Sequence, residues 1–161
     1  MQDLNVKIHM IDPRFARQYY LIYREINIPM NNIITQEEKD RIDTFCSEYR
    51  IRNYTIGYDI DGLYIDVYGN VNLSHLRLNS IPVRFGKVSG DFDCTGNLLT
   101  SLEHCPKEIG GYFDCSINIL TSLKHCPISV SGDFYCGINM LTNESYHHLF
   151  ELGYDIEKIV A

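Results

Sequence analysis

Between residues 69 and 142 the chain repeats itself every 21 residues, and a period of this length restricts it to a stacked array of coils. Aligned on Gly69, Gly90, Gly111 and Gly132, the four copies agree at many positions. An apolar residue stands two after each glycine: Val71, Phe92, Phe113 and Phe134. Two further on come Leu73, Cys94, Cys115 and Cys136, and five beyond those Leu78, Leu99, Leu120 and Leu141. The first three copies add Ile81, Leu102 and Leu123.

Residues two apart in a strand point to one side, so Phe92 and Cys94 face inward while Asp91, Asp93 and Thr95 face outward. Each copy is expected to be one coil with one short strand. Pro106 keeps the return segment from forming a regular helix. A single coil cannot bury its apolar side, whereas stacked coils share a core. Four coils at about 4.8 Å spacing predict a strip about 15 Å long. Asn97, Asn118 and Asn139 recur just past the strand, where a buried amide bonds backbone groups left free by the bend. Leu76 holds that place in the first copy, so the asparagine ladder is expected to stop there.

The run Phe92-x-Cys94-x-x-Asn97-x-Leu99-Thr100-Ser101-Leu102, nearly repeated over 113–123, resembles the LxLxxNxLxxL signature of leucine-rich repeats. The 21-residue length, with Cys105-Pro106 and Cys126-Pro127 after the last leucine, is similar to the short bacterial class. Residues 50–142 as a whole also resemble small repeat proteins encoded by bacteriophages and prophages. The resemblance implies an α/β repeat solenoid with a parallel strand face, and it implies no enzyme activity.

The flanks divide the chain into an N-terminal α/β unit (1–53), a β-hairpin cap (54–68), the repeats (69–142) and a C-terminal helical cap (143–161). Leu4, Val6, Ile8 and Met10 alternate as in a strand. Asp12-Pro13 opens a helix with the stripe Phe15, Tyr19, Ile22, Tyr23 and Ile26, and residues 27–34 form a connector. Thr35 to Glu38 fits a capping box for a helix to about Tyr49, with Ile42, Phe45, Cys46 and Tyr49 inward. Asp61-Gly62 between residues 54–60 and 63–68 signals a hairpin that seals the first coil. Thr142 or Asn143 begins a helix ending near Gly153, its inner stripe Tyr146, Leu149 and Phe150. Ile156, Ile159 and Val160 add a last apolar turn.

Residues 1–53 are charge-balanced, and residues 54–161 carry the whole net charge of −7. An acidic repeat half disfavours nucleic acid, which needs Lys and Arg to displace counterions, and suits a protein partner with a basic surface. The opening residues carry Lys7, Asp12, Arg14 and Arg17 without an apolar run, which argues against a secretory leader and for the cytoplasm. No stretch is apolar enough to span a membrane. The six cysteines are read as reduced core side chains, although a disulfide between adjacent coils, at Cα separations of about 4.4–6.8 Å, is geometrically open. Parallel cysteine columns do not converge as metal ligands must, so no metal and no cofactor is expected. No nucleophile elbow, phosphate loop or zinc-helix motif occurs, so no catalytic residue is assigned.

The outward strand face is the candidate site, centred on Asp91, Asp93, Tyr112, Asp114, Asp133 and Tyr135. Carboxylates pair with a partner's Lys and Arg, and tyrosines supply rigid contact area. A non-enzymatic protein-binding module follows, one that by the phage resemblance modulates or inhibits a host protein. Two other readings stay open: a self-assembling structural subunit, and an enzyme with its site in residues 1–53. The oligomeric state is left open as well.

Overall fold

The computed structural model describes residues 35–59, 61–154 and 159–160. The expected strand over 4–10, the helix from Asp12 and Ile156 lie outside them. Over the described residues the chain winds into a β-solenoid of parallel strands with two helices. From Val71 to Phe134 it makes three full turns. Four coils were expected, but the fourth repeat runs into a helix after Leu141 instead of returning.

The first helix, α1 (Gln36–Glu48), begins as its sequence dictates. Thr35 Oγ1 accepts from the Glu38 amide at 3.2 Å, and the Glu38 carboxylate accepts from the Thr35 amide at 2.9 Å. Ile42, Phe45 and Cys46 are buried, and Tyr49 is half-buried. Strands β1 (Tyr54–Asp59) and β2 (Gly62–Val67) pair antiparallel from Tyr54↔Val67 to Asp59↔Gly62. The reversal falls one residue earlier than expected. Gly62, at φ +104°, already pairs with Asp59.

Each full coil carries two short strands, not one. The first sheet runs β1, β2, β4 (Phe85–Val88), β6 (Glu108–Ile109) and β8 (Ser129–Val130). The second comprises β3 (Val71–Asn72), β5 (Phe92–Asp93), β7 (Phe113–Asp114), β9 (Phe134–Tyr135) and β10 (Ile159–Val160), all parallel. The return segment is extended, and its inward side chains Val88, Ile109 and Val130 close the core opposite the phenylalanines. The hairpin therefore joins the array, because β2 pairs in parallel with β4 through Ile65↔Phe85 and Val67↔Val88.

The glycine column marks the corner between the two strands. At Gly111 a methyl group would fall 1.9 Å from Asp91 Oδ1, and at Gly132 it would fall 2.9 Å from the Gly111 carbonyl oxygen. At Gly90, Gly111 and Gly132 the coils approach too closely for a side chain, whereas Gly69 on the first coil faces open space.

Phe92, Phe113 and Phe134 stack in register, and so do Cys94, Cys115 and Cys136; all six are fully buried. Aromatic contacts continue past both ends of this column. Tyr49 meets Phe45, Phe45 meets Phe85, and Phe85 meets Phe92 at 5.1 Å, while Phe134 meets Tyr154 at 5.3 Å. Tyr154 also donates its hydroxyl to the Pro127 carbonyl at 2.8 Å. The second helix, α2 (Asn143–Glu151), is preceded by Thr142 and followed by Gly153 at φ +81°. It buries Leu149 as expected, but Phe150 is exposed and Ser145 is buried in its place. Ser145 Oγ donates to the Thr121 carbonyl at 3.2 Å, which ties the helix to the preceding coil.

Candidate functional site

The six candidate residues come together on the outer side of the second sheet. They form two adjoining ladders. Asn72, Asp93, Asp114 and Tyr135 are paired strand to strand. Asn70, Asp91, Tyr112 and Asp133 occupy the rungs at the corner, one coil apart. Tyr112 and Tyr135 meet edge to face with ring centroids 6.1 Å apart, and Tyr135 donates to Asp133 at 3.0 Å.

Most of these carboxylates also hold backbone. Asp91 Oδ1 accepts from the Tyr112 amide at 3.0 Å, and Asn70 Oδ1 accepts from the Asp91 amide at 3.0 Å. The side chain of one coil thus takes the amide of the next. Asp93 Oδ1 accepts from the Thr95 amide at 2.9 Å, Asp114 Oδ1 from the Ser116 amide at 2.8 Å, and Asn72 Oδ1 from the Ser74 amide at 2.9 Å. These turns end each strand at the same place. Asp91, Asp93 and Asp114 are half-buried in consequence. The alternation of the sequence places them outward but gives no sign of this second role.

The face is electrostatically loaded. Desolvation raises the Asp93 carboxyl above its ordinary range, the Thr95 amide opposes this, Asp114 on the next rung adds to it, and His75 on the preceding coil offsets part of it. Desolvation first, and then Asp93 and Asp91, raise the Tyr112 hydroxyl. Behind the face, burial pushes the Cys126 thiol up to about 12 and the Cys136 thiol up to about 11. The six cysteines are free and buried, and these thiols are protonated core side chains at neutral pH.

Two surface features were not resolved by sequence reasoning. The outer side of the first sheet carries a shallow groove of about 410 Å³ beside Tyr68, Ser89 and Ser129, where the Lys87–Glu108 ion pair closes at 2.7 Å. Arg84 bonds Asp59 at 2.6 Å and the Gly62 carbonyl at 2.7 Å, and stacks on Tyr64. Tyr64 in turn lies over Gly57 and Gly86, which have no side chains to obstruct it. Lys87, Glu108 and Ser129 are equivalent positions one coil apart, but they share no residue type, so the period gave no signal for them.

The second feature borders the candidate face. Leu98, Ile117, Ile119, Ile138 and Met140 are exposed at the turn that follows each strand. Ile117 and Ile138 are 47% and 77% exposed.

Compared with protein-family models, with curated proteins and with solved structures, the chain gives no significant match. Among the described residues no helix is long and apolar enough to cross a membrane.

Proposed function

We propose that this chain is a short leucine-rich-repeat protein whose acidic strand face binds a basic surface on another protein, without enzymatic activity of its own. In this reading α1 and the hairpin close one end of the array, and α2 closes the other. The resemblance of the repeats to phage and prophage proteins makes the partner a bacterial host protein in the cytoplasm, which binding modulates or inhibits.

One observation carries the proposal. Asp93 and Asp114 are directly paired on adjacent strands, and like charges so placed are destabilising. The repeat has a neutral solution for the same turn, because Asn72 accepts the Ser74 amide just as Asp93 accepts the Thr95 amide. The turn requires an Asx oxygen but not a charge. A carboxylate retained at a cost in stability is accounted for by a cation supplied from outside.

The test uses Asp93→Asn/Asp114→Asn beside the wild-type chain as paired baits in a bacterial lysate, with circular dichroism confirming that both are folded. The expected result is a partner retained by the wild type and lost by the neutral variant, with retention falling as salt is raised. Equal recovery by both baits would place the interface elsewhere.

A further inference from the structure

The turn after each strand repeats one backbone conformation, with residues His75, Gly96, Ile117 and Ile138 at φ between +53° and +67°. Glycine adopts this left-handed region freely; a β-branched residue there is an outlier. The same array fills the position with Gly96, so isoleucine is not required by the coil. Ile117 also stays 47% exposed and Ile138 77% exposed. Two unfavourable features thus coincide at the same residues, on adjacent coils. A strained, exposed apolar residue in a position where glycine serves points outward, to something that covers it.

The neighbouring rungs extend the patch. The Ile119 amide donates to the Leu99 carbonyl and the Met140 amide to the Leu120 carbonyl, which locks these turns one above the other. Leu98, Ile119 and Met140 therefore form one apolar column, with Ile117 and Ile138 beside it. Ile117 lies three residues past Asp114 and Ile138 three past Tyr135, and Leu98, Ile119 and Met140 lie five past Asp93, Asp114 and Tyr135, so the apolar ridge and the acidic ladder run side by side.

Spacing selects the occupant. Coils repeat at about 4.8 Å, while three to four residues of an α-helix rise about 4.5–6 Å. A helix laid along the solenoid axis with apolar residues at i, i+3, i+4 and i+7 matches the rungs. An extended strand presents same-side residues about 6.6 Å apart and falls out of step. The charge of the adjoining ladder fixes the flank of that helix as Lys and Arg. We infer that the ridge of Ile117, Ile119, Ile138 and Met140, with Asp93 and Asp114 beside it, is a docking surface for a cationic amphipathic helix of a partner protein. This deepens the reading of the strand face as a binding surface and rests on it.

Fluorescence anisotropy with three labelled synthetic 18-residue peptides tests it: a Lys/Leu amphipathic helix, the same residues scrambled, and a Glu/Leu amphipathic helix. The proteins are the full wild-type chain, Ile117→Gly/Ile138→Gly, and Asp93→Asn/Asp114→Asn. The glycine variant adopts what Gly96 already does, so its fold is not at risk, and its thermal midpoint should equal or exceed that of the wild type. The expected result is saturable binding of the Lys/Leu helix, weakened at least ten-fold by either double substitution and absent for the other two peptides. If the glycine variant binds as wild type while the asparagine variant does not, the ridge proposal falls and the acidic-face reading stands. If the asparagine variant binds as wild type, both fall. Equal binding of the scrambled peptide overturns the helix, and a wild-type dimer in light scattering that the glycine variant abolishes assigns the ridge to self-association instead.

Discussion

Asp93 sits between Asn72 and Asp114 in the outer ladder, and its carboxylate does two things at once. One oxygen accepts the Thr95 amide, which fixes the turn. The charge lies in a half-buried site facing Asp114, and both desolvation and that neighbour raise its pKa. A raised carboxyl pKa means that the folded state holds its proton to higher pH than the unfolded state. Stability from this group is therefore lost as pH rises through that window, and the whole loss is present at neutral pH. Asp93→Asn keeps the accepting oxygen and removes the charge. Its thermal midpoint should exceed the wild-type value at pH 7, and the difference should vanish near pH 3, where the unfolded carboxylate is itself protonated (ordinary value about 3.9). An Asp93→Asn chain less stable than wild type at pH 7 would mean that the charge is held by a cation on the molecule itself.

Within one coil the asparagine is the member that ties strand to turn and coil to coil. Asn118 donates to the carbonyls of Cys94 and Cys115, and accepts from the Leu99 amide at 3.0 Å. The Cys94 and Cys115 carbonyls each serve two asparagines, since Cys94 also takes Asn97 and Cys115 also takes Asn139. Asn97 stands at the end of this ladder because Leu76 replaces asparagine in the first coil. Its oxygen accepts two amides, Leu76 and Leu78, both at 3.0 Å, and its nitrogen reaches the Leu73 carbonyl at 2.8 Å. An unpaired buried amide or carbonyl costs about 1–3 kcal/mol. Asn118→Ala should therefore cost about 2 kcal/mol and Asn97→Ala about 3 kcal/mol in urea denaturation, with unchanged m-values. Losses below about 1 kcal/mol for both would show that water replaces the amide.

The coil also marks where sequence reasoning reached its limit. The period and the two-residue alternation placed Phe92, Cys94 and Asn97 inside and Asp93 outside. The second strand of the coil was not visible, because Val88, Ile109 and Val130 are the one apolar position that recurs there. No second apolar position two residues away recurs with it, as Cys94 does with Phe92. In α2, Ser145 is buried because its hydroxyl finds the Thr121 carbonyl, a contact that an apolar stripe cannot announce. The candidate site was legible as a set of residues sharing a face. That Asp91, Asp93 and Asp114 each hold an amide depends on register and turn geometry, which the period leaves unstated.

Across the whole molecule the aromatic column runs from Tyr49 and Phe45 on α1 and its end, through Phe85, Phe92, Phe113 and Phe134, to Tyr154 beyond α2. In a stack each coil touches only its neighbours, so the consequence of losing a ring depends on where in the column it lies. Phe113 is fully buried and meets Phe92 at 6.1 Å and Phe134 at 4.9 Å. Phe113→Ala removes a shared contact from the middle and should cost about 3–5 kcal/mol, a large part of the stability of a domain this size. Amide exchange should then accelerate on both sides of the lesion, at Phe92 and Cys94 as well as at Cys115. Tyr154 is half-buried, meets one ring and donates one hydrogen bond. Tyr154→Ala should speed exchange in α2 and in the last coil, while the amides of Phe92 and Cys94 keep their protection. Native-state hydrogen exchange by NMR resolves the two patterns. Uniform loss of protection in Tyr154→Ala would mean that the coils and α2 unfold as a single unit, so that the ends hold the array as firmly as its centre.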